Sequence, residues 1–551
     1  MTETTTPIVE NTQTSTAARI GWAVLIVATL YFCYFSHLGA IGFVGPDEPR
    51  YAWIARDMAE SGDWVTPRLY GKPWFEKPPL FYWGAALSFK LFGVSEAAAR
   101  LPSAVSALLA TLALAWLALR LYGAETSRWL LLLLPTTVGM IGFSHAAATD
   151  MPFSGMLTIA MVCAAVVLGL TRDDNTPILP RTPWLALLLF GFFLGLAVLA
   201  KGPAGIILYG GAVFFWALCT KRWRYAFRLF HPVALASFCL TALPWYIACA
   251  QRNPDFFRIF IIEHNFNRYL TPEFQHIQSF WFYVPIVILA LLPWTPALAS
   301  LFNDLRRLPG TGRWRTSPEI YFVCWAAFTV VFFSASKSKL PGYVLPAIPP
   351  LGILLSQSLS IRVRGSAQGS RWVCTTIGAT LFVLGVLGAF QSERVPATQA
   401  ALALVGCGLA SAVLGNLRSP SFSVALAVLA VIAAIGAGFG GLTRLMIDSY
   451  VSARPAIASA HIIWNDYSPD RTSTYKLARS FQYSLNFYFH RELPEWSPDQ
   501  HKSGWVFTSA KGQSELKELG LNCAFNALRR AVVVCEDPGL ARGLPRSGES
   551  Q

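Results

Sequence analysis

Charge is scarce in this chain: Asp, Glu, Lys and Arg make up 13% of its 551 residues, against 54% hydrophobic. A soluble globule needs about twice that share of charge to cover its surface, so that class is excluded. The ten cysteines show no CxxC or zinc-ribbon spacing, which removes the common structural zinc sites. There is no Walker loop and no GxGxxG between a strand and a helix, so no nucleotide cofactor is expected. The run Gly436-Ala-Gly-Phe-Gly-Gly441 lies in an apolar stretch, where close helix packing accounts for it. The polar segment before Ile20 lacks a signal peptide's charged start and small-residue cleavage site, so the first apolar segment is expected to be retained.

What the chain has instead is apolar runs, recurring from Ile20 to Leu445. At roughly 20 apolar residues per crossing they give about thirteen spans. The spans begin near residues 20, 101, 127, 151, 183, 203, 231, 280, 319, 343, 372, 399 and 421. The expected fold class is an all-α polytopic membrane protein with juxtamembrane helices on its outer face and a small C-terminal α/β soluble domain. Residues 1–18 read as a disordered tail, 19–445 as the membrane domain and 446–551 as the soluble domain. Within the last, Trp505–Thr508 and Ala531–Cys535 read as strands, with a short helix over Ser514–Leu519.

The net charge of +14 would suggest nucleic acid in a soluble protein. Here it sits largely in short loops at Lys221–Arg228, Arg306–Arg315 and Arg362–Arg371. The positive-inside rule puts those loops in the cytoplasm, the N-terminus inside and the C-terminal domain outside. All cysteines but Cys523 and Cys535 fall in spans as small apolar residues, and that pair, on the oxidising side, is a candidate disulfide.

The charges outside those cytoplasmic loops then share one face. Val44-Gly-Pro-Asp-Glu-Pro-Arg-Tyr51 directly follows the first span, and Phe75-Glu-Lys-Pro-Pro-Leu80 follows in the same long loop. Helices are expected over Pro49–Glu60 and Pro79–Phe92, each closed by a glycine, and another over Phe256–Arg268. Asp47, Glu48, Arg50, Glu76, Lys77, His145, Asp150, Lys201, Glu263, His264, Arg268, Lys337, Lys339 and Tyr343 all map to the outer side. Charge beside lipid is costly, and such a cluster marks a site. Plainer readings stand beside this one: Asp47 and Asp150 as helix caps, Lys201 as a snorkelling lysine, His264 and Arg268 as members of a surface ion pair. Lys77 precedes a helix N-terminus, where free N–H groups favour an anion. With Arg268, Lys337 and Lys339 it suits a phosphate leaving group, leaving Asp47 and Asp150 to orient a nucleophile or hold a divalent cation. Glu76 and His264 form a candidate metal pair. A donor used on this face would arrive already attached to a lipid phosphate.

These motifs resemble the bacterial aminoarabinose transferases of lipid A, within the wider polyprenyl-phosphate-sugar-dependent glycosyltransferases that include the protein O-mannosyltransferases. The matching segments include Pro46-Asp-Glu-Pro-Arg-Tyr51, Ser61-Gly-Asp-Trp64, Phe75-Glu-Lys-Pro78, Ala200-Lys-Gly202, Leu243-Pro-Trp245, Ala250-Gln-Arg-Asn-Pro-Asp-Phe256, Glu263-His264, Arg268-Tyr269, Leu292-Pro-Trp294 and Lys337-Ser-Lys-Leu-Pro-Gly-Tyr343. The resemblance implies an inverting transferase of the GT-C type, moving 4-amino-4-deoxy-L-arabinose from undecaprenyl phosphate to a lipid A phosphate at the outer face of the bacterial inner membrane. By position it makes Asp47 the key loop aspartate, with Glu48 beside it, and Asp150 the second. It gives Lys77, Arg268 and Tyr343 the undecaprenyl phosphate, joined on this face by Arg50, Tyr51, Lys201, Lys337 and Lys339, and makes Glu76 and His264 metal ligands. Two departures stand out. Thr149-Asp-Met-Pro152 replaces the Leu-Asp-Pro of enterobacterial relatives, and Tyr343 follows Pro-Gly rather than Pro-Thr. The rival readings are the same reaction with a hexosamine or mannose, a protein or glycan acceptor, or a lipid or solute transporter. A transporter would place its ionisable residues near the bilayer midplane.

Overall fold

The structure is a computed structural model, and it describes residues 16–170, 184–267, 278–308, 314–363, 367–390, 405–406, 448–464, 467–498, 504–523 and 532–538. Among the described residues, six helices are long and apolar enough to cross a membrane: Thr16–Tyr34, Glu96–Tyr122, Asp150–Val167, Trp184–Lys201, Pro232–Arg252 and the combined Pro341–Val363. A seventh crossing exists if the bent pair Ala124–Leu133 and Val138–Ser144, 60° apart, is counted as one. The chain is a mostly helical, multi-pass membrane protein. Among the described residues these helices alone do not reach the count of about thirteen. Ala204–Thr220 and Glu319–Ala335 are apolar but stop at 17 residues, and the apolar helix after Phe280 ends at Ala290. The spans expected near 399 and 421 lie outside the described residues.

Local chemistry explains the breaks. Pro135 interrupts the ladder between the bent halves, and Thr136 Oγ1 donates back to the Leu132 and Leu133 carbonyls at 2.8 and 3.0 Å. Trp294 Nε1 then donates to that hydroxyl at 2.8 Å, fixing the bend against the next segment.

The Asp150–Val167 helix is the axis of the bundle: 94% of its apolar window is buried, against 17% for Thr16–Tyr34 and 22% for Pro232–Arg252 at the rim. Lipid supplies no hydrophobic drive between helices, so close approach decides their packing. At Gly155 a Cβ would lie 2.8 Å from the Ser106 carbonyl, and at Gly191 one would lie 2.2 Å from the Ala234 carbonyl. Only glycine lets those helix pairs touch.

The long loop after the first helix folds into the helices Asp47–Ser61 and Leu80–Phe92, joined by a small hairpin of Arg68–Leu69 and Lys72–Pro73. Asp63 pins the loop by accepting from the backbone N–H groups of Val65 and Thr66 and from Arg68. Trp245 Nε1 donates to the Val65 carbonyl at 2.9 Å, and Asn253 Nδ2 to Thr66 Oγ1 at 3.0 Å. The loop is therefore stapled to the Pro232–Arg252 helix.

The last described residues hold a four-stranded sheet ordered Thr472–Tyr475, Gly504–Thr508, Val533–Asp537, Asn522–Cys523. The first pair is parallel and the others antiparallel. Alternation sorts the side chains: Trp505, Phe507 and Val534 pack with Leu485 and Leu493 on one face, Val506 and Cys535 with Leu516 and Leu521 on the other. The helix Ala510–Glu518 lies between its strands in sequence, and Cys523 is bonded to Cys535 on the neighbouring strand.

Candidate functional site

Asp47 and Glu48 open the same helix, where two carboxylates complement the free N–H end. Successive helix positions turn about 100°, and the two side chains part company. Asp47 keeps 47% of its side chain exposed and lines a cavity of about 320 Å³. Glu48 is buried on the other side, facing Arg100.

The cavity walls come from four chain regions. The first loop gives Asp47, Tyr51 and Lys77; the turn before the Asp150–Val167 helix gives Thr149 and Asp150; Lys201 ends the Trp184–Lys201 helix; and Leu340, Gly342 and Tyr343 open the Pro341–Val363 segment. Phe143 and Leu340 give it apolar wall. Asp150 and Lys201 form an ion pair, and the Lys201 ammonium lies 4.7 Å from the centroid of the Tyr343 ring. Gly342 is required here: a Cβ would stand 2.6 Å from Asp150 Oδ1 and 2.9 Å from Phe143. Neither Asp47 nor Asp150 acts as a helix cap through its side chain, since the caps are Pro46 and Thr149 and no side-chain cap bond is made.

A second layer holds the first in place. Arg50, one turn along from Asp47, pairs with it and reaches Glu76 Oε2 at 3.1 Å, while Nε donates to the Pro46 carbonyl at 3.0 Å. Lys77 Nζ lies 3.5 Å from Glu76 Oε1. Burial works against the guanidinium charge, but the carboxylates of Glu76 and Asp47 outweigh it and hold Arg50 firmly protonated. Burial, reinforced by Glu76 and Asp47, pushes the Tyr51 phenol up, so it remains a neutral donor.

Three placements differ from the sequence reading. Glu48 does not reach the cavity. Its oxygens accept from Arg100 at 3.1 and 2.8 Å and from the N–H groups of Ala147 and Val44 at 2.6 and 2.7 Å, so it is spent on structure. Lys339 is 6% exposed and donates to the carbonyls of Ser336 and Gln278, which makes it a fastener of its own turn. Burial, with Lys337 nearby, lowers its pKa. Lys337 is exposed and is not among the residues lining the cavity. Glu76 has its two oxygens beside cations, Arg50 and Lys77. Among the described residues no group of three His, Cys, Asp or Glu converges. Arg268 and the His264 side chain lie outside the described residues.

Sequence reasoning missed Arg100. Placed one turn into an apolar helix and 1% exposed, it donates to the carbonyls of Leu38, Ile41 and Gly42 at 2.7–2.8 Å as well as to Glu48. Its signal was an arginine at the very start of an apolar span, with more carboxylates in the preceding loop than the site could use.

The family model described as dolichyl-phosphate-mannose-protein mannosyltransferase matches residues 20–260. The undecaprenyl phosphate-alpha-4-amino-4-deoxy-L-arabinose arabinosyl transferase of Edwardsiella ictaluri is 33% identical over 61% of this chain and 59% of its own. The protein of that name from Aeromonas salmonicida is 32% identical over 68% and 67%. The match to the Edwardsiella relative thus spans about three fifths of that protein's length. The crystal structure of ArnT from Cupriavidus metallidurans bound to undecaprenyl phosphate superposes with a TM-score of 0.77 at 25% identity, covering 95% of this chain and 99% of that one. By this likeness in sequence and structure, the chain belongs to the family of the undecaprenyl phosphate-alpha-4-amino-4-deoxy-L-arabinose arabinosyl transferases.

Proposed function

We propose that this protein transfers 4-amino-4-deoxy-L-arabinose from undecaprenyl phosphate to a phosphate of lipid A. It would do so at the periplasmic face of the bacterial inner membrane, with the N-terminus cytoplasmic and residues 446–551 forming a periplasmic domain. The observation that carries the reading is the cavity, in which two carboxylates, two lysines and two tyrosines from four chain regions meet beside apolar wall.

The chemistry is a single in-line displacement. An oxygen of the lipid A phosphate attacks the anomeric carbon and forms the new C–O bond. The bond from that carbon to the undecaprenyl phosphate oxygen breaks, the electron pair leaves with the phosphate, and the configuration inverts. The leaving group is already a stable anion, so no general acid is required. Lys77 and Lys201 stabilise the negative charge as it gathers on the leaving oxygen, and the neutral phenols of Tyr51 and Tyr343 donate to phosphate oxygens. The attacking phosphate is itself an anion and needs no general base. Asp47 faces the positive charge that builds on the sugar ring and offers a partner for the sugar's amine. Asp150 holds Lys201 in place until a phosphate competes for it. Phe143 and Leu340 line the approach of the lipid portion.

The test is direct. Purified protein is incubated with defined lipid-linked sugars and lipid A, and the lipid A mass is followed. Addition of one aminopentose, with loss of the donor, supports the reading. Transfer of a hexosamine or mannose instead, transfer to a protein or glycan, or donor movement across a vesicle without bond cleavage would each replace it.

A further inference from the structure

The residues that hold Asp47 do not all come from the membrane part of the chain. Three aromatic rings surround the Arg50 guanidinium: Tyr51 at 5.8 Å, Trp74 at 5.6 Å and Tyr483 at 5.5 Å from its central carbon to each ring centroid. Two belong to the first loop. Tyr483 lies more than 400 positions away, on the Arg479–Phe489 helix that packs against the sheet.

That helix is fixed over the first loop at several further points. Asn486 Nδ2 donates to Tyr70 Oη at 2.9 Å, His490 Nε2 lies 2.9 Å from Glu60 Oε2, and the Phe487 ring meets Phe43 edge-on at 4.7 Å. The face that carries Tyr483 is therefore seated in register with Arg50. Inside the box the guanidinium directs its N–H groups at Asp47, Glu76 and the Pro46 carbonyl, and only 13% of the side chain remains exposed. A guanidinium with three rings within 6 Å of its central carbon and its N–H groups on two carboxylates has little freedom to turn.

We propose that Tyr483 is a positioning residue of the active site: its ring closes the box around Arg50, Arg50 holds the Asp47 carboxylate at the cavity, and the sheet-bearing C-terminal part of the chain thereby completes the catalytic apparatus. The proposal rests on the transfer reaction assigned above. Loss of the ring opens one side of the box to water, and the guanidinium gains the freedom to swing outward and draw Asp47 with it. The effect falls more on kcat than on donor KM, because Asp47 pairs with Arg50 directly whereas Lys77 is linked to it through Glu76.

The experiment compares the full-length Tyr483→Leu and Tyr483→Phe proteins with wild type. Leucine removes the ring and should lower kcat about tenfold, the scale of a partly desolvated cation–π contact. Phenylalanine keeps the ring and should stay near wild type. In an Arg50→Gln background, with no cation to hold, Tyr483→Leu should cause little further loss, whereas a merely structural role would add its full effect. Peptide mass spectrometry after phenylglyoxal treatment provides a readout independent of turnover: Arg50 modification should speed up with leucine and not with phenylalanine. If leucine does not fold, Tyr483→Met carries the same comparison. Unchanged kcat and unchanged Arg50 reactivity in the leucine protein, equal losses with leucine and phenylalanine, or an undiminished loss in the Arg50→Gln background would each overturn the proposal. Wild-type protein that transfers nothing would count against the reaction, and the Arg50 labelling would still decide the positioning.

Discussion

Replacing Arg100 by methionine tests whether Glu48 is structural or catalytic. Arg100 and Glu48 keep 2% and 8% of their side chains exposed, so neither charge has water to fall back on. The substitution removes the donors to three carbonyls and leaves Glu48 with only the N–H groups of Val44 and Ala147. Breaking a buried pair by deleting one member costs about 3–5 kcal/mol, most of it from the stranded charge. Adding Glu48→Gln removes that charge while the amide oxygen still accepts from one of the two N–H groups. The double variant should therefore be more stable than Arg100→Met alone, by about 1–2 kcal/mol, although it carries one more change. The assay is the fraction of monodisperse protein left after heating in detergent, paired with transfer per folded molecule. Transfer by the double variant should remain within about tenfold of wild type, since Glu48 touches no part of the cavity. A double variant less stable than the single, or folded but inactive, would refute the structural assignment.

Other outcomes follow from the same geometry. Asp47→Asn should abolish transfer while leaving the heat stability of the protein unchanged; measurable turnover would remove Asp47 from the mechanism. Lys77→Ala should weaken donor binding, read as a higher KM for the lipid-linked sugar, and an unchanged KM would count against its phosphate contact. Gly342→Ala should push the Asp150 carboxylate away from its present seat and cut kcat by up to about 100-fold, the scale set by a misplacement of about 1 Å, with wild-type activity as the contrary result. Treatment with EDTA tests the metal pair Glu76 and His264: loss of transfer restored by one divalent cation would support it, and intact transfer would remove it.

Much of the site could be read from the chain because polar residues in an apolar protein have few places to go. Asp47, Tyr51, Lys77, Asp150, Lys201 and Tyr343 stood out by their chemistry at span ends, and they line one cavity. Neighbours in sequence could not be separated in the same way. Asp47 and Glu48 look equivalent until the helix is seen to turn one toward open space and the other toward Arg100. Lys337 and Lys339 flank a single serine, yet one is exposed and the other fastens its own turn to backbone carbonyls. Several segments of the resemblance proved to be staples: Trp245 and Asn253 hold the first loop, and Trp294 holds a bend. Spans were harder to count. Hydropathy registers apolar stretches, whereas proline and glycine decide where a helix stops, as at Pro135 and at Gly202-Pro203.

The Gly42 N–H donates to Asp448 Oδ1 across 406 positions, and Arg454 donates to the carbonyls of Gly39 and Ala40 in the same stretch. During biosynthesis the loop bearing Asp47 must therefore wait. At roughly 5–20 residues per second, its final partners emerge on the order of half a minute after it does. A newborn chain therefore passes through a period in which its most highly charged loop has been made and is held by Arg100, Trp245 and Asn253 alone, its last fastenings still to come.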